Sequence, residues 1–242
     1  MKINPSNLLP IIELYPCLQG EGVYSGTPSI LLRFTGCNLR CTFKDSHCDT
    51  PYASFTPEKG KYTLKNIIEY IDKFPQIEHI ILTGGEPTLY KDILFRLILR
   101  LRARRKFVTL ETSGSVQLDW HNNIIDFLSL SPKLANSTPQ NDSKGQHEIN
   151  RKNYTAMGTL ISCAKQKQVK FVVSKKEDLI EIKEILEILR VVDKSEVFLM
   201  PEGITKSQLN KKRKWLFNVC IKEGYNYTDR LHILAYGNKR GV

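Results

Sequence analysis

Three of the six cysteines fall within twelve positions, in the run Cys37-Asn-Leu-Arg-Cys41-Thr-Phe-Lys-Asp-Ser-His-Cys48. Thiols grouped this closely suit an iron–sulfur cluster. A [4Fe–4S] cube that only carries electrons takes four cysteines, so a cube held by three keeps one iron for chemistry. Six unevenly placed cysteines are too few for a disulfide scaffold, and a tight group points to metal or catalysis. A zinc site completed by His47 is the competing reading. Cys17, Cys163 and Cys220 stand alone and read as buried, inert thiols. A second reactive-looking stretch is Gly84-Gly85-Glu86-Pro87. Its two glycines let backbone amides and one carboxylate approach a ligand with no Cβ in the way. Gln19-Gly-Glu-Gly22 offers an amide and a carboxylate in the same manner, although a glycine-rich turn is often only a turn.

These groups must be held by regular elements. Short apolar, β-branched or aromatic runs at Ser29–Thr35, Ile77–Thr83, Phe107–Glu111, Ile124–Leu130, Val169–Val173 and Val197–Met200 predict buried strands. Further strands are predicted near Ile11–Tyr15 and at Leu231–Ala235. Each main strand ends in polar residues: the cysteine run, Gly84-Gly85, Glu111-Thr112-Ser113-Gly114, Ser131-Pro132-Lys133 and Pro201-Glu-Gly203. Ligands of α/β proteins bind at that end of the strands. Thr63 is placed to cap a helix reaching Phe74, and helical spacing recurs over Leu89–Arg104, Glu177–Arg190 and Ser207–Glu223. Ser113–Asn123 is too short and polar for a full helix, and Asn136–Asn153 reads as a loop or mobile lid. Right-handed crossovers would curl six such alternations into an α/β fold: a partial, open (β/α)6 TIM-like barrel with some helices shortened or missing.

The chain's 242 residues suit one such domain, and its net charge of +11 favours acidic partners. The basic residues are scattered, with short clusters at Arg100–Lys106 and Lys211–Lys214 that read as solvated helix faces, so no nucleic acid is required. No run reaches the roughly 18 apolar residues of a membrane span, and a soluble, cytoplasmic protein is expected.

In order along the chain, Leu18-Gln-Gly-Glu-Gly22, Arg33-Phe-Thr-Gly-Cys-Asn-Leu-Arg-Cys41, Cys48-Asp-Thr50, Thr83-Gly-Gly-Glu-Pro87, Glu111-Thr-Ser-Gly114, Ser131-Pro-Lys133, Met200-Pro-Glu-Gly203, His232-Ile-Leu-Ala-Tyr-Gly237 and Arg240-Gly-Val242 resemble the radical S-adenosylmethionine (SAM) enzymes, and among them the 7-carboxy-7-deazaguanine synthases. One departure stands out. The family spaces its last two cysteines as Cys-x2-Cys, whereas Cys41 and Cys48 enclose six residues, as though Lys44–His47 were inserted. A chain covering roughly 3.3–3.6 Å per residue folds back over that length with ease.

The resemblance implies a carbon–nitrogen lyase that contracts a carboxylated tetrahydropterin to 7-carboxy-7-deazaguanine with loss of ammonia. It implies a cluster on Cys37, Cys41 and Cys48, SAM on the remaining iron, and Mg²⁺ on Thr50. SAM would lie against Phe43, Gly85, Glu86, Glu111, Thr112, Ser113, Ser131, Pro132, Lys133, Met200, Pro201 and Glu202. The pterin would meet Leu18, Gln19, Gly20, Glu21, Arg33, Thr83 and Val242, where an extension of the chain should weaken binding. Arg33 suits a carboxylate because its planar fork pairs in bidentate fashion; a strand-end salt bridge is the alternative. A flavodoxin- or ferredoxin-type electron donor and a homodimer are implied as well. The domain would comprise a substrate-binding segment (1–28), a core barrel (29–204) and a closing segment (205–242). A glycyl-radical activase is the nearest rival. It shares the cysteines and Gly-Gly-Glu-Pro but has no use for the Gln-Gly-Glu-Gly turn.

Overall fold

Strands that are apolar along most of their length persist only when both faces are covered, and here one face meets helices while the other encloses a cavity. A computed structural model of the chain describes residues 7–44, 46–120, 123–191 and 193–242. The first six residues of the expected N-terminal segment, and Asp45 in the insertion, lie outside these. The elements are, in order, β1 (Leu8–Leu9), β2 (Ile11–Leu18), β3 (Pro28–Phe34), α1 (Pro51–Ser54), β4 (Tyr62–Thr63), α2 (Leu64–Ile71), β5 (His79–Gly84), α3 (Lys91–Arg102), β6 (Phe107–Thr112), β7 (Ile125–Leu130), α4 (Gln146–Arg151), α5 (Tyr154–Ser162), β8 (Ala164–Val173), α6 (Asp178–Ile188), β9 (Val197–Pro201), α7 (Lys206–Glu223), β10 (Asn226–Tyr227) and α8 (Leu231–Tyr236).

One sheet runs β10-β9-β8-β7-β6-β5-β3-β2. It is parallel throughout except where β2 lies against β3. Its edges, β2 and β10, do not pair with each other, so the barrel is open. Side chains alternate across a strand, and the register aligns Leu32, Leu82, Leu110 and Leu128 in one row. All four are fully buried in a core shared with Ile67 and Ile71 of α2 and Leu94, Leu97, Ile98 and Leu101 of α3. Each such leucine contributes about 1.5–3 kcal/mol by leaving water. The intervening residues Arg33, Thr83, Glu111 and Ser129 face the cavity instead.

Helix ends follow local chemistry. Thr63 caps α2 as expected, in a reciprocal box with Asn66, and Thr205 with Gln208 does the same for α7. Among the described residues no helix joins β6 to β7, so one crossover helix is missing, as the polar Ser113–Asn123 stretch predicted.

Two expectations are corrected. Leu231–Ala235 is not a strand but lies in α8, and the last strand is the two-residue β10. A five-residue apolar run cannot be assigned by periodicity alone, and here Leu231 N donates to Gly20 O (2.9 Å), drawing the segment away from the edge of β10. Asn136–Asn153 is likewise more than a loop, because it contains α4. That helix has no apolar period to read, since its buried residues are His147 and Arg151. Polar contacts hold it: the Asp142 carboxylate accepts from His147 N (3.0 Å) and Glu148 N (3.2 Å), and Arg151 pairs with Glu148 and Glu181.

The gap between the two edge strands is bridged by the Gln19–Gly22 turn and the segment before α8. Gly22 N donates to Thr228 Oγ1 (2.7 Å), and a Cβ on Gly20 would stand 2.4 Å from His232 Nδ1. The same connection forms the barrel floor, where the Tyr24 ring packs on His79, Phe107 and Phe127 at 4.8–5.4 Å between centroids. No helix is long and apolar enough to cross a membrane among the described residues.

Candidate active site

A cavity of about 510 Å³ opens at the carboxyl ends of the parallel strands and extends to the Gln19–Gly22 turn. The cysteine loop leaves β3 through Gly36, whose φ of 81° suits a residue without a side chain. The Gly84-Gly85 turn is fastened to that exit: Gly85 N donates to Phe34 O (2.9 Å) and Glu86 N to Gly36 O (2.8 Å). A Cβ on Gly85 would lie 2.0 Å from Gly36 O, so no larger residue permits this approach.

The long spacing between Cys41 and Cys48 forms a small hairpin. Thr42 and His47 make an antiparallel bridge, Phe43 N donates to Ser46 O (2.7 Å), and Cys48 N donates to Cys41 O (3.1 Å). Of the extra residues, Ser46 and His47 line the cavity, and the two cysteines finish as hydrogen-bonded neighbours. Cys37, Cys41 and Cys48 are free and all lie on the cavity wall. Burial pushes the Cys37 thiol up to about 12, reinforced by the Glu86 charge, and pushes Cys41 to about 11 although Lys133 opposes it. Neighbouring thiols raise both further, so the three already sense one another. A polycation that replaces three protons relieves this penalty, and the donor set therefore fits an iron–sulfur cluster. From outside, α4 braces the loop. Arg40 N donates to His147 Nδ1 (3.1 Å), which leaves the His147 proton on Nε2 facing Ser137 Oγ (3.2 Å), and Asn150 Nδ2 donates to Asn38 O (2.8 Å).

Most of the predicted SAM-contacting residues line the cavity: Phe43, Gly85, Glu111, Thr112, Ser113, Ser131, Lys133, Met200 and Glu202. Glu86, Pro132 and Pro201 do not. Glu86 is fully buried behind the wall. Its carboxylate accepts from Thr88 N (3.2 Å), Thr88 Oγ1 (2.6 Å), Thr112 Oγ1 (2.6 Å) and Ser113 N (2.9 Å). It thus joins the turns after β5 and β6, and its expected direct contact with a ligand becomes a supporting one. Glu202 accepts from Lys212 Nζ (2.9 Å) and from Ser46 of the hairpin.

Every residue expected to meet substrate, namely Leu18, Gln19, Gly20, Glu21, Arg33, Thr83 and Val242, is on the wall, as is Thr50. Gln19 Nε2 donates to Glu111 Oε1 (3.0 Å). Arg33 Nε donates to Glu13 Oε2 (2.5 Å), so its salt bridge is real, and its side chain still lines the cavity. Sequence reasoning missed Lys170 and Arg230, and gave no role to Asp49 and His232 although both stand in stretches that carry the resemblance. Burial opposes ionisation of Glu21, yet the charges of Lys170, Arg230 and His232 prevail and hold its pKa below the usual range. Arg230 spans from Glu21 (3.1 Å) to Asp49 and Gly203 O (2.7 Å), linking the floor to the cysteine loop. One signal was available: Lys170 interrupts the apolar run Val169–Val173, and a charge within a buried strand needs a partner. Cys17 is also corrected, because it lies on the wall rather than in the core. Burial and the Glu111 charge push its thiol up to about 12, so inertness follows all the same.

Comparison with known proteins agrees with this geometry. Residues 31–157 match the Radical SAM superfamily. The chain is 42% identical over its full length to the 7-carboxy-7-deazaguanine synthase of Rhodopirellula baltica, covering 91% of that protein. The chain belongs to the 7-carboxy-7-deazaguanine synthase family. A second member of the family, from Halobacterium salinarum, is 37% identical, with 95% of this chain and 91% of that protein aligned. The fold resembles the crystal structure of QueE from Escherichia coli, with a TM-score of 0.64 over 93% of this chain and 95% of that one at 20% identity. As a member of the synthase family the chain is a radical SAM enzyme. That class uses a [4Fe–4S] cluster and SAM, and Cys37, Cys41 and Cys48 are the residues that would hold the cluster.

Proposed function

We propose that this chain converts 6-carboxy-5,6,7,8-tetrahydropterin to 7-carboxy-7-deazaguanine and ammonia, in the biosynthesis of queuosine and other 7-deazapurines. The observation that carries the reading is the single cavity. Its wall carries Cys37, Cys41 and Cys48 together with Arg33, Gln19 and Glu21. Substrate and products have the same atoms, so the conversion needs no net oxidant, and SAM would serve as a cofactor rather than as a consumed reagent.

When bound, the reduced cluster and SAM supply a hydrogen-abstracting radical, while the protein supplies position and water exclusion. Gly85 offers backbone, and Thr112, Ser113, Ser131 and Lys133 offer polar groups, to the ribose and carboxylate of SAM; Phe43 offers a ring to its adenine. Arg33 receives the pterin carboxylate, Gln19 and Glu21 the polar edges of its ring, and Leu18, Gly20, Thr83 and Val242 complete the enclosure. Thr50, whose hydroxyl lies beside Cys48 Sγ (3.4 Å), is the residue that would hold Mg²⁺ as a hard oxygen ligand. The whole chain acts as one domain in a homodimer, reduced by a flavodoxin- or ferredoxin-type donor in the cytoplasm.

Anaerobic incubation of cluster-loaded protein with SAM and the pterin, with and without Mg²⁺, tests this. The deazaguanine and ammonia should form in equal amounts, faster with Mg²⁺. SAM cleavage with no change in the pterin would refute the proposed substrate.

A further inference from the structure

The stretch after α8 is held down by one side chain. Asn238 to Val242 run along the cavity wall without helix or strand. Among the described residues, every side-chain hydrogen bond and ion pair from this stretch to the rest of the protein is made by Arg240. Its guanidinium lies 3.6 Å from the centroid of the Tyr52 ring. Two of its nitrogens grip Glu58, at 2.7 and 3.2 Å, and its Nε donates to Glu13 Oε1.

Glu13 is where this becomes more than an anchor. It is 7% exposed and sits directly across the β2–β3 ladder from Arg33. Its two oxygens are divided between two arginines, Oε1 to Arg240 and Oε2 to Arg33. A carboxylate with both oxygens free would turn to take a guanidinium fork in bidentate fashion. With Arg240 holding Oε1, Glu13 engages Arg33 through Nε, its Oε2 accepting from Tyr52 Oη as well (3.4 Å), and the Arg33 guanidinium, which also meets the Tyr15 hydroxyl, keeps its place on the cavity wall.

We propose that Arg240 is a positioning residue for substrate recognition: by claiming half of Glu13 it keeps the fork of Arg33 turned to the substrate carboxylate, and by the same contact it seats residues 238–242 over the cavity. The inference rests on the proposed pterin substrate. Opening of the stretch and misalignment of Arg33 are therefore one event.

The test uses the cluster-loaded enzyme and two readouts, steady-state kinetics and direct binding of the carboxytetrahydropterin by equilibrium dialysis. Arg240→Ala should raise KM and the dissociation constant about tenfold or more, which is ~1.4 kcal/mol per decade, with kcat within about twofold, since a lost ground-state contact acts on KM. Arg240→Lys should recover only part of this, because an ammonium has no fork to share between two carboxylates. In a Glu13→Gln background, the effect of Arg240→Ala should shrink, as residues acting through one another are not additive. Unchanged pterin affinity in Arg240→Ala, or full additivity with Glu13→Gln, would overturn the proposal. So would loss of folding in both Arg240 variants, which would mark the residue as structural. If the wild type itself failed to bind the pterin, the substrate reading would fall, and this inference with it.

Discussion

Leu110 and Glu111 are neighbours on β6, yet they belong to two different environments. Leu110 is fully buried in the row that packs against the helices, and Glu111 lies on the cavity wall and accepts from Gln19. The same division separates Leu32 from Arg33 and Leu82 from Thr83. On the helix side, burial of apolar area stabilises the fold, and a buried carboxylate such as Asp126 is the exception, held by Lys165 (2.8 Å) and Arg102 (3.5 Å). On the cavity side, charges are taken out of water and survive only because they are paired: Glu21 with Lys170 and Arg230, and Arg230 with Asp49. Buried ion pairs of this kind contribute little net stability. The sheet therefore separates stability from function residue by residue, by the alternation of a strand.

The sharpest break in that comparison is Cys48→Ala. It should abolish turnover and cluster iron content while leaving the helix-side core, and hence far-UV circular dichroism, intact. Leu110→Ala should do the reverse. A fully buried leucine removed from a packed core costs about 2–5 kcal/mol, measurable by urea denaturation, with kcat of the folded fraction close to wild type. An intermediate effect is expected at the floor, where His79 is buried between Ser29 (2.9 Å) and Thr109 (2.6 Å). Burial lowers its pKa from 6.5 to about 4, against a smaller opposing pull from Glu111. The unfolded chain thus takes up the proton first. This contribution to stability is present in full above pH 6.5 and is lost as the pH falls towards about 4, by up to about 3 kcal/mol. His79→Gln should flatten that part of the stability–pH curve. The smallest effect is Glu111→Gln, which should leave the urea midpoint almost unchanged and lower kcat/KM about tenfold, or ~1.4 kcal/mol. A large loss of stability there would show that the two faces are not separable.

Much of this was readable in the chain. The cysteine group, Gly84-Gly85 and the polar strand ends all follow from local residue types, and the structure gathers them at one cavity. Glu86 shows the limit of such reading. Its position after two glycines marks it as important, but only the packing of the β5 and β6 turns shows that it faces inward to Thr112 and Ser113 rather than outward to a ligand. The nearness of Arg230 and His232 to Glu21 was hidden for a related reason. They lie about 210 positions from Glu21, and no periodicity connects segments so distant.

The sequence by itself determined the identity of the chemistry and the succession of the central strands from β3 to β9, because both depend on residue types and short-range spacing: three thiols in twelve positions, and apolar runs punctuated by glycine and polar ends. Only the tertiary structure decided which charges meet. The closing of an open barrel by Gly20 against His232, and the sharing of Glu13 between Arg33 and Arg240, depend on side chains brought together across the whole chain. Coulomb interactions act through space and fall off with distance in space, so a line of residues does not disclose them until it is folded.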